Sequence, residues 1–523
     1  MNRVFLFLLA IFLGLAHPFT FPVLSIFLIF GMYGVYWFFS RYQPTWLVFC
    51  ANLILFSIRF EWFLRPEYHG IAISFAFLFV VFLYSALWTY FIKSFTTEEN
   101  TRVFLSRVFL FEFIMGYLLC GFTIDQIGIQ ALALKHVAEK GAFIGGIGLS
   151  VLCLYLNVQV YFMFRQKYNM QEHLLALAVA LTSFHFLLPE GEKVKPATIS
   201  LIQTGLKPEE KRLIPGKELS LWPMRKQWEQ IFTLLKQTKN SDCIVFPEAT
   251  VPHFAYAPIY DIDEAIALIK NHFPKNEAEI GRAAKAPFVY SEAFATNAFF
   301  FQALSEIYDS AIIAGLCDER EGKSYSSAFC FTPGRTPQIY DKQVLVPVAE
   351  AAPLPFLSSI SQEYGIQDYF TPGKGGQIFT YKQLKIQVGI CYDEMIDRKM
   401  SRAKGVNLIA TLCNNAWYPS STLRAKHAAT GAMRSIENGV PLVRAGNTGI
   451  IGSYFPNGMK REAHYGEWQR GVFTCTPTIG AIDTPYMFWG NFPMLALTMG
   501  VIVLDLLRKK RVSISDEPME LTD

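Results

Sequence analysis

The sequence predicts a polytopic α-helical membrane bundle joined to an α/β domain, and three observations predict it. Apolar runs follow one another at roughly 4–17, 20–39, 46–64, 71–92, 108–122, 141–163 and 173–188, with one more at 487–507. Between about 195 and 485 the chain changes character and alternates β-rich strings with helix-like stretches. The whole is 52% hydrophobic and 17% charged, with 47 phenylalanines in 523 residues, which is apolar for a soluble protein of this length.

A hydrocarbon core about 30 Å thick needs ~20 helical residues, with ~17 as the lower limit. Three or four of the runs clear that, while the first and fifth are short and must borrow flanking residues. No small-x-small cleavage motif separates the first run from the second, so it reads as an uncleaved helix rather than a signal peptide. Basic residues orient the bundle. With Arg3 inside, the second connection carries Arg41, the fourth Lys93, Arg102 and Arg107, and the sixth Arg165 and Lys167, all inside. The opposite connections hold Arg59, Arg65, Lys135 and Lys140, but with Glu61, Glu67 and Glu139 beside them. The expected organisation is a bundle of about seven helices over 1–190, an extracytoplasmic domain over 195–485, a closing helix over 487–507 and a cytoplasmic tail over 508–523, beginning "RKKR" and disordered after 512.

Within the polar half, "ATISLIQTG", "CIVFPEA", "AIIAGLC", "KIQVGICYD", "NLIATLC" and "PLVRAGN" read as strands. "MRKQWEQIFTLLKQTK", "NAFFFQALSEIYDS" and "RAKHAATGAMRSIENG" read as helices between them. That alternation indicates α/β architecture, and about 290 residues bury a full core. A net charge of +4 argues against nucleic acid as a partner. Nine cysteines without a C-x-x-C pair or a Cys/His cluster argue against a structural zinc. "GKGG" at 373–376 lacks Walker spacing, so no nucleotide site is expected.

Three strand-end residues carry chemistry. Glu248 in "IVFPEAT" follows an apolar run, where a carboxylate costs desolvation unless it is paired or used. Taken alone, its other reading is a helix N-cap or turn acid after Pro247. Lys342 in "IYDKQVLVPVAE" alone reads as a surface lysine, and Cys391 in "QVGICYDEM" as core filler or half of a disulfide. Together they fit one reaction type. A thiol is a weak nucleophile at its free pKa near 8.5; a carboxylate takes its proton and an ammonium stabilises first the thiolate and then an oxyanion.

The order and local strings of these three residues, "FPE", "YDKQVLVPVAE" and "ICYDE", resemble the carbon–nitrogen hydrolase (nitrilase) superfamily. Joined to the apolar helices, they resemble its apolipoprotein N-acyltransferase branch over nearly the whole chain. "CNNAWY" (413–418), "GAMRSIENGVPLVRAGNTG" (431–449) and "TPYMFWG" (484–490) agree with that branch. Asp393 departs from the usual Glu and Asn415 from the usual Asp, while "HPFTFP" and "IRFEWF" match loosely. The resemblance implies a nitrilase-like αββα sandwich. It implies Glu248 as general base, Lys342 as oxyanion-stabilising cation, Cys391 as nucleophile and Glu350 as a second, orienting acid. Tyr392 and Trp417 match positions near the acyl groove and read equally as core aromatics; Asn415 and Arg434 read as structural. The implied reaction moves a fatty acyl chain from a phospholipid to the amine of a diacylglyceryl-cysteine apolipoprotein. It proceeds through a Cys thioester at a bacterial inner membrane, with the α/β domain in the periplasm and neither metal nor cofactor. Two rivals remain. One is a membrane-tethered amidase of the same superfamily. The other is a transporter or receptor carrying an inactive enzyme domain, which the intact Glu, Lys and Cys disfavour.

Overall fold

The computed structural model describes residues 2–69, 72–117, 126–183, 196–214, 216–238, 240–285, 287–290, 293–347, 349–351 and 370–515. The chain falls into two compact units, one of Met1–Leu64, Ala72–Leu187 and Thr484–Asp523, the other of Arg65–Ile71 and Leu188–Asp483.

The first unit is helical: α1 (Asn2–Leu15), α2 (Pro22–Arg41), α3 (Thr45–Arg59), α4 (Ala72–Glu98), α5 (Thr101–Tyr117), α6 (Gly141–Phe164), α7 (Met170–Leu181) and a closing helix, Phe492–Ser515. By length and composition, Pro22–Arg41, Ile73–Glu98 and Gly141–Phe164 are able to cross a membrane, and Arg3–Leu15, Thr45–Arg59 and Met170–Leu181 are shorter apolar helices. Phe75, Leu78, Phe79 and Phe82 of α4 are exposed, an arrangement suited to lipid rather than water. Where α2 kinks, Asn157 of α6 takes over the freed backbone groups, donating to the carbonyls of Leu28 (2.9 Å) and Ile29 (3.1 Å) and accepting from the N–H of Gly34 (3.1 Å). The two helices touch so closely there that a Cβ on Gly34 would lie 2.2 Å from the Asn157 carbonyl oxygen.

One expectation is corrected. Lys93, Arg102 and Arg107 do not lie in a connection, because α4 continues to Glu98 and α5 starts at Thr101. Continuing the helix satisfies the backbone internally, and the side chains find partners nearby: Lys93 Nζ donates to the Gln43 carbonyl (2.9 Å) and Arg107 to Ser94 Oγ (2.6 Å). The later parts of the fifth and seventh apolar runs (118–122 and 184–188), the junction near 190–195 and the tail beyond 515 lie outside the described residues; helix persists to Ser515, past the expected onset of disorder at 512.

The second unit holds two six-stranded sheets. Its strands are β1 (Ile199–Gln203), β2 (Cys243–Val245), β3 (Ala311–Arg320), β4 (Lys323–Phe331), β5 (Gln338–Asp341), β6 (Ile378–Tyr381), β7 (Leu384–Ile390), β8 (Leu408–Cys413), β9 (Leu442–Gly446), β10 (Ile450–Tyr454), β11 (Lys460–His464) and β12 (Gly471–Cys475). The sheet orders are β12-β1-β2-β3-β4-β5 and β11-β10-β9-β8-β7-β6. β1, β2 and β3 run parallel, as do β7, β8 and β9; the outer pairings are antiparallel. Period-2 alternation sorts the side chains. Ile199, Leu201, Val245 and Ile313 enter one core with Ile386, Val388, Leu408 and Leu412 of the other sheet. Ile202, Ile244 and Phe246 point the other way, onto Trp228 and Phe232 of α8 (Met224–Leu235) and Phe300 and Phe301 of α9 (Asn297–Tyr308). α10 (Leu423–Asn438) packs on the second sheet beside β9 and β10. The layers are thus helix, sheet, sheet, helix, a carbon–nitrogen hydrolase-like sandwich, and both faces of the parallel strands are buried.

Candidate active site

Parallel strands end at one edge of their sheet, so loops leaving those ends gather there. β2 ends at Val245, and Phe246-Pro247 carry the chain to Glu248, which is 7% exposed. The turn is tight, with Ala249 in the left-handed region (φ 46°). It lies against β3 so closely that a Cβ on Gly315 would sit 2.6 Å from the Glu248 Cα, hence the glycine.

Lys342 follows β5 and is fully buried (0% exposed). Its ammonium lies between two carboxylates, 2.8 Å from Glu248 Oε1 and 2.7 Å from Glu350 Oε1. Burial alone would lower its pKa, but Glu248, Glu350 and Cys391 together outweigh that and push it well up, so it is an ammonium at any physiological pH. Glu350 also accepts the N–H of Val346 (2.8 Å), closing its own loop. Burial and then the charge of Glu248 raise the Glu350 carboxyl, against the pull of Lys342.

Cys391 leaves β7 into a short 3₁₀ turn, Cys391–Met395, with φ 48°. A left-handed non-glycine at a strand end is a strained conformation of the kind found where a side chain is displayed for use. Burial, then Glu248, push the thiol up; Lys342 and the backbone N–H of Asn414 favour the thiolate without prevailing. The resting group is therefore a thiol. All eight cysteines among the described residues are free, Cys391 included, which removes the disulfide reading.

The structure brings Glu248, Lys342 and Glu350 into direct contact and Cys391 within their electrostatic reach. Tyr392 is half-buried in the same turn as Cys391. Trp417, also half-buried, meets Tyr68 edge-on (centroids 5.6 Å apart) and carries the Arg212 guanidinium 4.2 Å over its ring. Arg434 pairs with Glu437 (2.5 Å) within buried α10, a structural role.

Sequence reasoning gave no site role to three neighbours. Asp393 is fully buried and accepts from the backbone of Gln343 (3.1 Å), Val344 (2.8 Å) and Ile390 (3.0 Å) and from Tyr340 Oη (2.9 Å). It ties the loop carrying Lys342 to the turn carrying Cys391. The available signal was a second acid inside an otherwise apolar strand-end string. His427 of α10 sits under Cys391, with Nε2 3.1 Å from the Cys391 carbonyl and 2.9 Å from Glu394, and Nδ1 3.1 Å from Asn415 Oδ1. Arg444 completes that buried cluster on Glu394. Burial opposes ionisation of Glu394, but Arg444 and His427 win and hold it down at about 2; burial and Arg444 lower His427. Glu394, Cys413 and His427 bring potential ligand atoms within 4.8 Å of one another, yet the guanidinium already supplies the compensating charge, so the group is an ion-paired core. Lys211 is the third: buried, it donates to the Ala249 carbonyl (2.7 Å), and burial lowers it to about 8.

The family description carbon-nitrogen hydrolase matches residues 199–474, more than half the chain. A Chlamydia caviae apolipoprotein N-acyltransferase is 25% identical over 507 residues, covering 89% of this chain and 90% of its own. One from Neisseria meningitidis serogroup B is 24% identical over 539 residues, covering 96% of each. A solved carbon–nitrogen hydrolase superfamily protein of Xanthomonas campestris, with an arsenic adduct in its active site, aligns with 53% of this chain and 90% of its own at 17% identity and a TM-score of 0.35.

Proposed function

The chain belongs to the carbon–nitrogen hydrolase family, and from that premise we propose that it is a membrane-bound lipoprotein N-acyltransferase working through a Cys391 thioester. The single observation that carries the reading is the buried Lys342, held between Glu248 and Glu350 beside a thiol that rests protonated. A buried ion network of this kind is weak evidence of a stabilising role, which leaves a catalytic use as its reason.

In the first half-reaction Glu248 accepts the Cys391 proton as Sγ attacks the ester carbonyl of a phospholipid. The charge that builds on the carbonyl oxygen lies beside the Lys342 ammonium. Collapse breaks the C–O bond, and the lysophospholipid alkoxide takes the proton back from Glu248. In the second, the α-amine of a diacylglyceryl-cysteine attacks the thioester, Glu248 takes its proton, the C–S bond breaks and the thiolate is reprotonated. Glu350 gives the pair its logic: when Glu248 is neutral, the second carboxylate keeps Lys342 charged. Tyr392 and Trp417 line the acyl entrance in this reading.

The same reading puts the domain at 195–485 in the periplasm and the tail at 508–523 in the cytoplasm, with the closing apolar run at 487–507, whose helix starts at Phe492, crossing the membrane between them. Its support is that Arg41 (2.7 Å) and Arg165 (3.0 Å) converge with Lys167 on Glu99, gathering at one end of the bundle cations that the positive-inside bias assigns to the cytoplasm. Incubation of the purified protein with phospholipid, followed by intact mass spectrometry, tests the chemistry. An acyl adduct on Cys391 with lysophospholipid release is expected. Turnover of a small amide with no adduct from phospholipid would overturn it in favour of an amidase.

A further inference from the structure

The segment between β1 and α8 belongs to no strand-end motif, yet it is built onto the site. It contributes Lys207, Lys211, Arg212 and Lys217, interspersed with Leu213, Leu219 and Leu221. Lys211 anchors it: the buried ammonium bonds the carbonyl of Ala249, the residue after Glu248. Arg212 is therefore held one residue from the Glu248 turn. Its guanidinium lies 4.2 Å over Trp417, which is three residues past Asn414, whose N–H faces Cys391. Trp417 is itself braced by the edge of Tyr68, and the neighbouring Arg65 donates to the carbonyls of Pro419 (2.9 Å) and Ser420 (2.8 Å). The stack thus joins the Glu248 and Cys391 sides of the site.

We propose that Arg212, stacked on Trp417, is the specificity-determining residue that binds the phosphate of the acyl-donor lipid. The inference rests on the N-acyltransferase reading and deepens it. The nearby acids are already committed: Glu67 and Glu209 pair with Lys217 (2.9 and 3.5 Å), and Glu209 also accepts from Tyr68 Oη (2.8 Å). Among the described residues Arg212 makes no ion pair and no side-chain hydrogen bond, and it is exposed. A guanidinium held 4.2 Å over an indole ring keeps N–H groups free to donate, and its fork matches two phosphate oxygens. The leucines name the source of the phosphate. Leu213 and Leu221 are exposed, and Leu219 is fully so (104%). Exposed leucines close to cations suit an interfacial segment, with the leucines among acyl chains and the cations at headgroup level, and the segment's own acids, Glu210 and Glu218, accept the backbone N–H groups of Lys207 (2.8 Å) and Gly216 (2.8 Å).

The test compares donors with identical acyl chains, a phosphatidylethanolamine and a diacylglycerol, in mixed micelles with the full-length protein. Thioester formation on Cys391 is the readout. The wild type should prefer the phospholipid. Arg212→Gln should reduce that preference about tenfold or more through KM, and Arg212→Lys should restore part of it, since a lysine keeps the charge but loses the two-pronged geometry. Inorganic phosphate at millimolar concentration should not compete. An undiminished preference in R212Q, or an equal loss on both donors, would overturn the proposal. Competition by inorganic phosphate would reassign the site to a free anion. Failure of the wild type to form a thioester from either donor would instead overturn the N-acyltransferase reading itself.

Discussion

Replacing Lys342 by Met separates what the buried ammonium does for the fold from what it does for catalysis. Methionine fills the volume but leaves Glu248 and Glu350 facing each other without the cation that lies 2.8 and 2.7 Å from them. Breaking one partner out of a buried ion network costs about 3–5 kcal/mol if the remaining charges stay charged. Here the carboxyls have an escape, because they can take up a proton. Glu350 is already raised in the wild type, by burial and by Glu248, with Lys342 opposing; without Lys342 both forces act unopposed. A carboxyl raised in the folded state binds more protons there than in the unfolded chain, so its stability contribution falls as pH rises. K342M should be close to wild-type stability at about pH 4, below the unfolded carboxylate pKa, and lose stability progressively toward neutrality. Adding Glu350→Gln removes one of the two charges and should recover most of that loss. Activity should behave differently. The ammonium's stabilisation of the oxyanion is worth roughly 3–4 kcal/mol, or about 10²–10³ in the rate of thioester formation, and the second substitution restores none of it. Thermal unfolding across pH in detergent reads the first effect; mass spectrometry of Cys391 with phospholipid and no acceptor amine reads the second. Thioester accumulation by K342M at the wild-type rate would refute the assigned role, and pH-independent instability would refute the carboxylate account.

Cys391→Ser should lower acyl transfer by several orders of magnitude with unfolding unchanged, checked by turnover of labelled phospholipid; near-normal turnover would move attention to Cys413. Glu248→Gln should block the acylation half-reaction rather than only the aminolysis, seen as no thioester in a single-turnover experiment. Asp393→Ala removes the acceptor of four hydrogen bonds and should loosen the Lys342 and Cys391 loops together; the measurement is a fall in kcat with the donor KM little changed. Glu394, held near 2 against a usual 4.5, contributes stability that is full above about pH 4.5 and lost as pH falls toward 2. That contribution is roughly 3 kcal/mol, and Glu394→Gln should flatten this acid limb in a pH-dependent melt. Protease added outside spheroplasts should cleave within 196–483 and spare the cytoplasmic connections; a protected α/β domain would mean that one apolar run does not span.

Much of the fold was readable because its signals are local. Short, nearly continuous apolar runs such as "ISLIQ" and "CIV" report strands buried on both faces, and 3.6-residue periodicity in "MRKQWEQIFTLL" reports a helix lying on them. The connection over residues 93–107 is shorter than its charges suggested, because α4 runs on to Glu98 and α5 starts at Thr101; helix satisfies the backbone on both sides of that turn, and Lys93 and Arg107 reach their own partners. At the site, Glu248, Lys342 and Cys391 each read as ordinary when taken alone and stood out only together, as three residue types able to run one reaction in family-like strings.

By itself the sequence determined the two kinds of material in the chain, the order of helices and strands, and the three residue types able to run thiol acyl transfer. Only the tertiary structure decided their company. Lys342 and Glu248 are 94 residues apart, so no period or spacing links their charges. Asp393 gathers four donors from three segments, His427 lies under Cys391 from a helix 36 residues on, and Arg212 finds Trp417 from the far side of the domain's sequence. A hydrogen bond or an ion pair acts over about 3 Å, and which groups come that close depends on how the two sheets pack, a global outcome of burying the core between them rather than a property of any stretch of chain.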